Sequence, residues 1–234
     1  MPQLSNFNLL TGRSEDHLQS VMDANDKKFL MHFDIIPHFE KLKRKCSEAG
    51  FSLALTSSFR SFSRQLAIWE KKAKGEAGLF DNAGENKLIF NDLSPTEIVF
   101  AILRWSALPG CSRHHWGTDF DVFDAGRLPT PDYQVELTIA EVYGNGFSAP
   151  LHDFLDTLIH SDQSYGFYRP YEIDLGGVSD ERWHLSYRPW SSLLQKKFTM
   201  EIFLKHLNSF EFTHKKIVMK NREEIYWRFI QNTF

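Results

Sequence analysis

Three absences narrow what this 234-residue chain can be. It has only two cysteines, Cys46 and Cys111, too few for a disulfide framework. Cys46 falls in a helical pattern and Cys111 just ahead of a histidine-rich segment, and each reads as an isolated thiol. No stretch of 18 apolar residues occurs, so no membrane-spanning helix is expected. Met1 to Arg13 lack the charged start and apolar run of a secretory leader, which makes the cytoplasm the expected compartment. Charge of one sign is missing as well. With 27 Lys/Arg against 30 Asp/Glu the net charge is −3, which offers no electrostatic footprint for nucleic acid or an anionic membrane. Residues 191–234 carry eight Lys/Arg against four Asp/Glu, leaving −7 for residues 1–190 out of the total of −3. This basic tail reads as a solvated helical face, with contact to an anionic surface as the alternative. Internal repeats and low-complexity tracts are absent.

What remains is an ordinary globular composition, 42% hydrophobic and 24% charged, with 21 Phe spread along the chain as core material. The length suits one large domain, or a domain with an appendage, able to bury a real core. A first helix is expected after Ser14. A second is expected over Asp34 to Ala49, with Ile35, Ile36, Phe39 and Leu42 on one side and Gly50 as its stop. Phe51, Leu53 and Leu55 alternate with smaller residues and predict a strand. A helix carrying Leu66, Ile68 and Trp69 should end near Gly75, and residues 75–93 read as loop. Ser94-Pro95-Thr96-Glu97 combines a capping box with proline at the first helical position, and predicts a helix to about Trp105. Asp121 should lie on a strand with Phe120, Val122 and Phe123. Residues 125–134 read as loop, Leu151 to Ile159 as helix, and Trp183 to Tyr187 as a short strand. Residues 191–234 form an expected C-terminal helical extension or lid, with a hairpin near Phe210 to Val218.

Two segments carry the chemistry. One is Ser112-Arg113-His114-His115-Trp116-Gly117-Thr118-Asp119-Phe120-Asp121; the other is Glu181-Arg182-Trp183-His184. Imidazole nitrogen and carboxylate oxygen are ordinary zinc donors, and three protein ligands leave a fourth position open, as catalytic zinc sites do. A turn followed by a strand could bring His114 and Asp121 to one ion, with Gly117 free to take a conformation other residues resist. Asp119 rivals Asp121, because residues two apart share a strand face. His115 should point elsewhere if His114 faces a metal, either supporting the site or facing substrate, or simply packing. Ser112 lacks the surroundings of a nucleophile elbow and reads as an orienting or turn serine.

Ser112-x-His114-x-x-Gly117-x-x-x-Asp121 followed by Glu181-x-Trp183-His184 resembles the VanY-type zinc D-alanyl-D-alanine carboxypeptidases of the M15 peptidase family. The resemblance begins at Ser57-Ser58-Phe59-Arg60-Ser61 with Gln65 and runs to Tyr187. A lone histidine is more often structural than a ligand, but three blocks in the right order outweigh that prior. The resemblance implies an α+β fold with a small antiparallel sheet and flanking helices, shared with hedgehog signalling domains. It implies that His114, Asp121 and His184 bind zinc, that Glu181 is the general base and that Arg60 contacts substrate. The implied substrate is a peptidoglycan stem peptide or muropeptide ending in D-Ala-D-Ala. Arg60 could grip a terminal carboxylate or polarise the scissile carbonyl. Ser58, Gln65 and Ser112 are candidates for further substrate hydrogen bonds. Trp183 is expected to fix His184 by packing, and Trp69, Trp105, Phe59 and Phe62 to be core.

Two kinds of rival stand beside this reading. A related zinc peptidase could make a different cut, as a D,D-dipeptidase, an L,D-carboxypeptidase or a cell-wall endopeptidase. A zinc-stabilised binding module could use the same scaffold without turnover, although a structural site needs no base such as Glu181 would be. An expected cytoplasmic compartment also sits uneasily with a substrate that lies outside it.

Overall fold

The computed structural model describes residues 7–23 and 25–233. Part of the Met1–Arg13 stretch, residues 1–6, therefore lies outside the described residues. In chain order, a single-turn helix α1 (Phe7–Leu10) leads into a hairpin of β1 (Leu18–Met22) and β2 (Lys28–His32). Helix α2 (Ile36–Glu48), strand β3 (Leu53–Ser57), helix α3 (Phe62–Ala73) and helix α4 (Pro95–Trp105) follow. Next come β4 (Asp119–Asp124), a one-turn helix α5 (Ile139–Val142), α6 (Ala149–His160), the two-residue strand β5 (Phe167–Tyr168) and β6 (His184–Tyr187). The chain ends in α7 (Arg188–Lys197), α8 (Met200–Asn208), α9 (Lys215–Lys220) and α10 (Arg222–Ile225), extended by a wide turn over Tyr226–Ile230. No helix among the described residues is long and apolar enough to cross a membrane.

Strands β3, β4, β6 and β5 form one antiparallel sheet in that order, as the α+β expectation required. Its two faces divide the molecule. Phe120, Val122 and Leu185 point to one side and are fully buried against Phe39 and Leu42 of α2 and Leu151 and Leu155 of α6. The opposite side carries Asp119, Asp121 and His184 toward a second core built from Trp69, Ile102, Leu103, Trp116, Phe203 and Ile225. Residues of α7 to α10 thus share a hydrophobic core with α1, α3 and α4.

Several expectations need correction. After Ser14 the chain forms the β1–β2 hairpin rather than a helix, with Leu18 paired to His32 and Met22 to Lys28. The hairpin turn is organised by Asp23, whose carboxylate accepts from the backbone N–H groups of Asn25 and Lys27 at 2.9 Å each. No hairpin forms at 210–218. There Thr213 is satisfied by Glu70, which accepts from both its N–H and its hydroxyl, while its carbonyl accepts from Trp69 Nε1. These bonds take the place of a cross-strand partner, and the chain enters α9. Of the four aromatic residues expected in the core, Trp69 is fully buried, whereas Phe59, Phe62 and Trp105 are partly exposed.

Candidate metal centre and active site

Register puts the site together. Across the sheet, Ser57 pairs with Asp121, and Asp121 pairs with His184, so one lateral row delivers three functional side chains to the same face. His114 arrives from a 3-10 turn over Arg113–Trp116 that ends at Gly117. Gly117 has φ +67, and a Cβ there would stand 2.5 Å from Leu18 Cδ2 and 2.9 Å from the backbone N of His32. Only glycine allows both the left-handed turn and the close approach of the hairpin. His184 is reached through a tight turn closed by its own N–H to the carbonyl of Glu181 at 3.1 Å. The turn centres on Arg182 and Trp183. It brings Glu181 and His184 to the same place instead of opposite faces of a strand.

The tautomers follow from the partners. Nδ1 of His114 lies 2.9 Å from the carbonyl of Ser58, which can only accept, so Nδ1 carries the proton and Nε2 turns its lone pair inward. Nε2 of His184 lies 3.0 Å from Oδ1 of Asp119, so here Nε2 is protonated and Nδ1 faces inward. The inward nitrogens meet Asp121: His114 Nε2 is 3.4 Å from Oδ2 and His184 Nδ1 is 3.5 Å from Oδ1. Ligand atoms of all three residues lie within 4.8 Å of one another.

This donor set fits a zinc ion. Ligand atoms about 2.1 Å from one tetrahedral ion stand about 3.4 Å apart. Oδ1 of Asp121 is buried and accepts no hydrogen bond, a costly arrangement unless a cation satisfies it. Although burial opposes charge on the His184 ring, the carboxylates of Asp119, Glu181 and Asp121 around it outweigh that cost, and a cation on Nδ1 would answer them in place of a second ring proton. The surroundings favour positive charge at this spot.

Asp119 serves the site from behind. It is fully buried, accepts from Thr118 Oγ1 at 2.6 Å and from Arg113 Nε at 2.7 Å, and holds His184 in orientation. Although burial opposes its charge, Arg113 and His184 hold its carboxyl well below the usual range. Arg113 in turn donates to Gln195, Tyr168 and Ser186. His115 points away from the metal-binding cluster. Its Nδ1–H donates to the Arg60 carbonyl and its Nε2 accepts from Gly110 N–H.

The cluster opens into a cavity of about 550 Å³. Arg60, Ser112, His114, Asp121, Glu181, Trp183 and His184 all line it. Glu181 brings Oε2 to 3.2 Å from His184 Nδ1. Arg60 reaches within 4.0 Å of Asp121 Oδ2, held by Ser57 Oγ at 3.0 Å and Gln65 Oε1 at 2.8 Å. Gln65 and Ser58 are buried outside the cavity wall. Gln65 spends its amide N–H groups on Ala107 and Ser106, and Ser58 contributes its carbonyl to His114. Lys72 and Tyr171, which the sequence did not single out, also line the cavity, as does Trp105, which was expected in the core. Tyr171 packs edge-on against the His184 ring at 5.1 Å, and its carbonyl accepts from Glu181 N–H.

An antiparallel sheet presenting two histidines, an aspartate and a neighbouring glutamate to a cavity is a donor set suited to a hydrolytic metal centre. The chain belongs to the VanY family, D-alanyl-D-alanine carboxypeptidase, whose family model matches residues 28–190. Its fold is similar to that of VanYB in complex with D-Alanine-D-Alanine, at 18% identity and a TM-score of 0.50, over 83% of this chain and 90% of that one. It is similar as well to the LdcB LD-carboxypeptidase, at 18% identity and a TM-score of 0.51, over 88% of this chain and 89% of that one. Two Haemophilus influenzae relatives, both described as uncharacterized proteins, match shorter stretches. One is 38% identical over 100 residues, 43% of this chain and 68% of its own length. The other is 34% identical over 96 residues, 41% of this chain and 71% of its own length.

Proposed function

We propose that this protein is a zinc-dependent D-alanyl-D-alanine carboxypeptidase that removes the terminal D-alanine from peptidoglycan stem peptides. The observation that carries the reading is the carboxylate of Glu181 3.2 Å from the inward nitrogen of His184, beside His114 and Asp121. A structural zinc site closes with four protein ligands, whereas only His114, Asp121 and His184 form the ligand cluster here, which leaves Glu181 beside it to act as a base. Membership of the VanY family supplies the substrate class.

His114 Nε2, His184 Nδ1 and Asp121 would hold the zinc. Bound there, zinc supplies Lewis acidity toward water and the scissile carbonyl. Glu181 takes the proton of the attacking water and returns it to the leaving amine. Arg60 donates to the carbonyl oxygen as charge develops there; Gln65 and Ser57 pre-set its position, so little reorganisation is needed during reaction. Asp119 holds His184 in the tautomer the metal needs.

The test is mass spectrometry of products from stem pentapeptide, stem tetrapeptide and whole sacculi, with metal analysis of the same sample. Release of D-alanine from pentapeptide, with about one zinc per chain, supports the reading. Cleavage confined to the tetrapeptide, or release of a dipeptide, replaces it with a related cut. Zinc without turnover on any substrate replaces it with a binding module.

A further inference from the structure

Three cationic side chains besides the histidines line the cavity: Arg60, Arg113 and Lys72. Two are already committed. Arg113 is almost fully buried and donates to Asp119, Gln195, Tyr168 and Ser186. Arg60 is fastened by Gln65 and Ser57 beside Asp121, where the carbonyl under attack must sit. Lys72 differs. Its ammonium has no hydrogen-bond acceptor and no ion-pair partner among the described residues, although it is only partly exposed.

Its place on α3 is informative. Lys72 follows Gln65 by seven residues, two turns along the same helical face, and so stands about 10 Å of helix axis beyond the residue that holds Arg60. One residue of extended peptide covers about 3.5 Å, and a lysine stem covers much of the remaining distance. A peptide whose scissile carbonyl lies at Arg60 and whose last residue runs along α3 brings its terminal carboxylate within reach of Lys72. Resting on the carboxypeptidase reading above, we propose that Lys72 binds the free α-carboxylate of the substrate, and so makes the enzyme an exopeptidase, while Arg60 serves the carbonyl. Desolvation lowers the Lys72 pKa to about 8, against the pull of Glu181 and with the push of Arg60. An ammonium short of water in this way gains from an incoming carboxylate. Most lysines in a run such as Lys71-Lys72-Ala73-Lys74 are solvated surface charges; Lys72 is set apart by facing the cavity.

Calorimetric binding to the zinc-loaded protein tests this, using a diacetylated L-Lys-D-Ala-D-Ala peptide and its C-terminal amide. Glu181→Gln serves as the parent so that neither peptide is consumed. The parent should prefer the acid, and Lys72→Met should weaken the acid about 10- to 100-fold while leaving the amide unchanged. Lys72→Arg should restore most of the preference. In otherwise wild-type protein, Lys72→Met should raise KM for the acid with kcat nearly kept. An unchanged preference for the acid in Lys72→Met, or equal weakening of acid and amide, overturns the Lys72 assignment and leaves the peptidase reading standing. Failure of the parent to bind either peptide overturns both.

Discussion

Oδ1 of Asp119 lies 3.0 Å from Nε2 of His184 and 2.7 Å from Nε of Arg113. One buried carboxylate thus bridges a metal-facing histidine to an arginine that reaches β5 through Tyr168, β6 through Ser186 and α7 through Gln195. Asp119 and Asp121 share a strand face but do different work: Asp121 turns a bare oxygen into the cluster and Asp119 aims a ligand.

Replacement of these two aspartates should separate the roles. Asp121→Asn should lose zinc at stoichiometric metal. Asp119→Asn should weaken zinc about 10- to 100-fold yet recover full occupancy in excess metal. Asp119→Ala should also destabilise the fold by about 3 kcal/mol, because it leaves the Arg113 charge buried and unpaired. Metal titration followed by chemical denaturation checks both, and equal zinc loss in the two Asn variants would make Asp119 a ligand.

Arg60→Lys should keep zinc and stability but lower kcat about 10²- to 10³-fold, since lysine cannot hold the fork that Gln65 and Ser57 position. Amidating the substrate's C-terminus should slow wild type and variant by the same factor. A smaller penalty in the variant would return the carboxylate to Arg60.

Buried imidazoles should make the protein acid-sensitive. His115 and His206 each accept one hydrogen bond and donate another, His115 with Gly110 and Arg60, His206 with Arg13 and Pro109, so both are held neutral. Desolvation lowers His115 to about 3 and His206 to about 4. Their ordinary value is about 6.5, so below it the unfolded chain binds protons that the folded chain refuses. Stability is therefore complete above about pH 6.5 and falls by about 1.4 kcal/mol per pH unit for each ring as pH drops toward 4. Denaturation midpoints from pH 7 to 5 should show this slope, and His206→Gln should remove one ring's share. An unchanged slope in that variant would mean that His206 is not held neutral.

Much of this architecture can be read in advance where the signal is local. The capping box at Ser94 and Glu97 starts α4 as expected, and the alternation around Leu53 and Asp121 marks β3 and β4. The β1–β2 hairpin escapes because strand pairing depends on partners and burial, and only Val21 of β1 is buried. Strand β5 is two residues long and too short to show a period. In the site, the three blocks name the residues that meet, but periodicity cannot rank Asp119 against Asp121. That distinction rests on Arg113 and Thr118, whose contacts exist only in three dimensions. Gln65 is likewise visible as part of a block, while its work behind Arg60 depends on Ala107 and Ser106, some forty residues away.

Glu181→Gln tests the central claim most directly, with zinc content, thermal stability and D-alanine release measured on one preparation. Glutamine keeps the shape that fits beside His184 and removes the base. The variant should keep about one zinc per chain and an unchanged fold, with turnover lowered about 10²- to 10⁴-fold. Turnover within a few-fold of wild type would contradict Glu181 as the base, and loss of the metal would make it a fourth ligand of a closed, structural site.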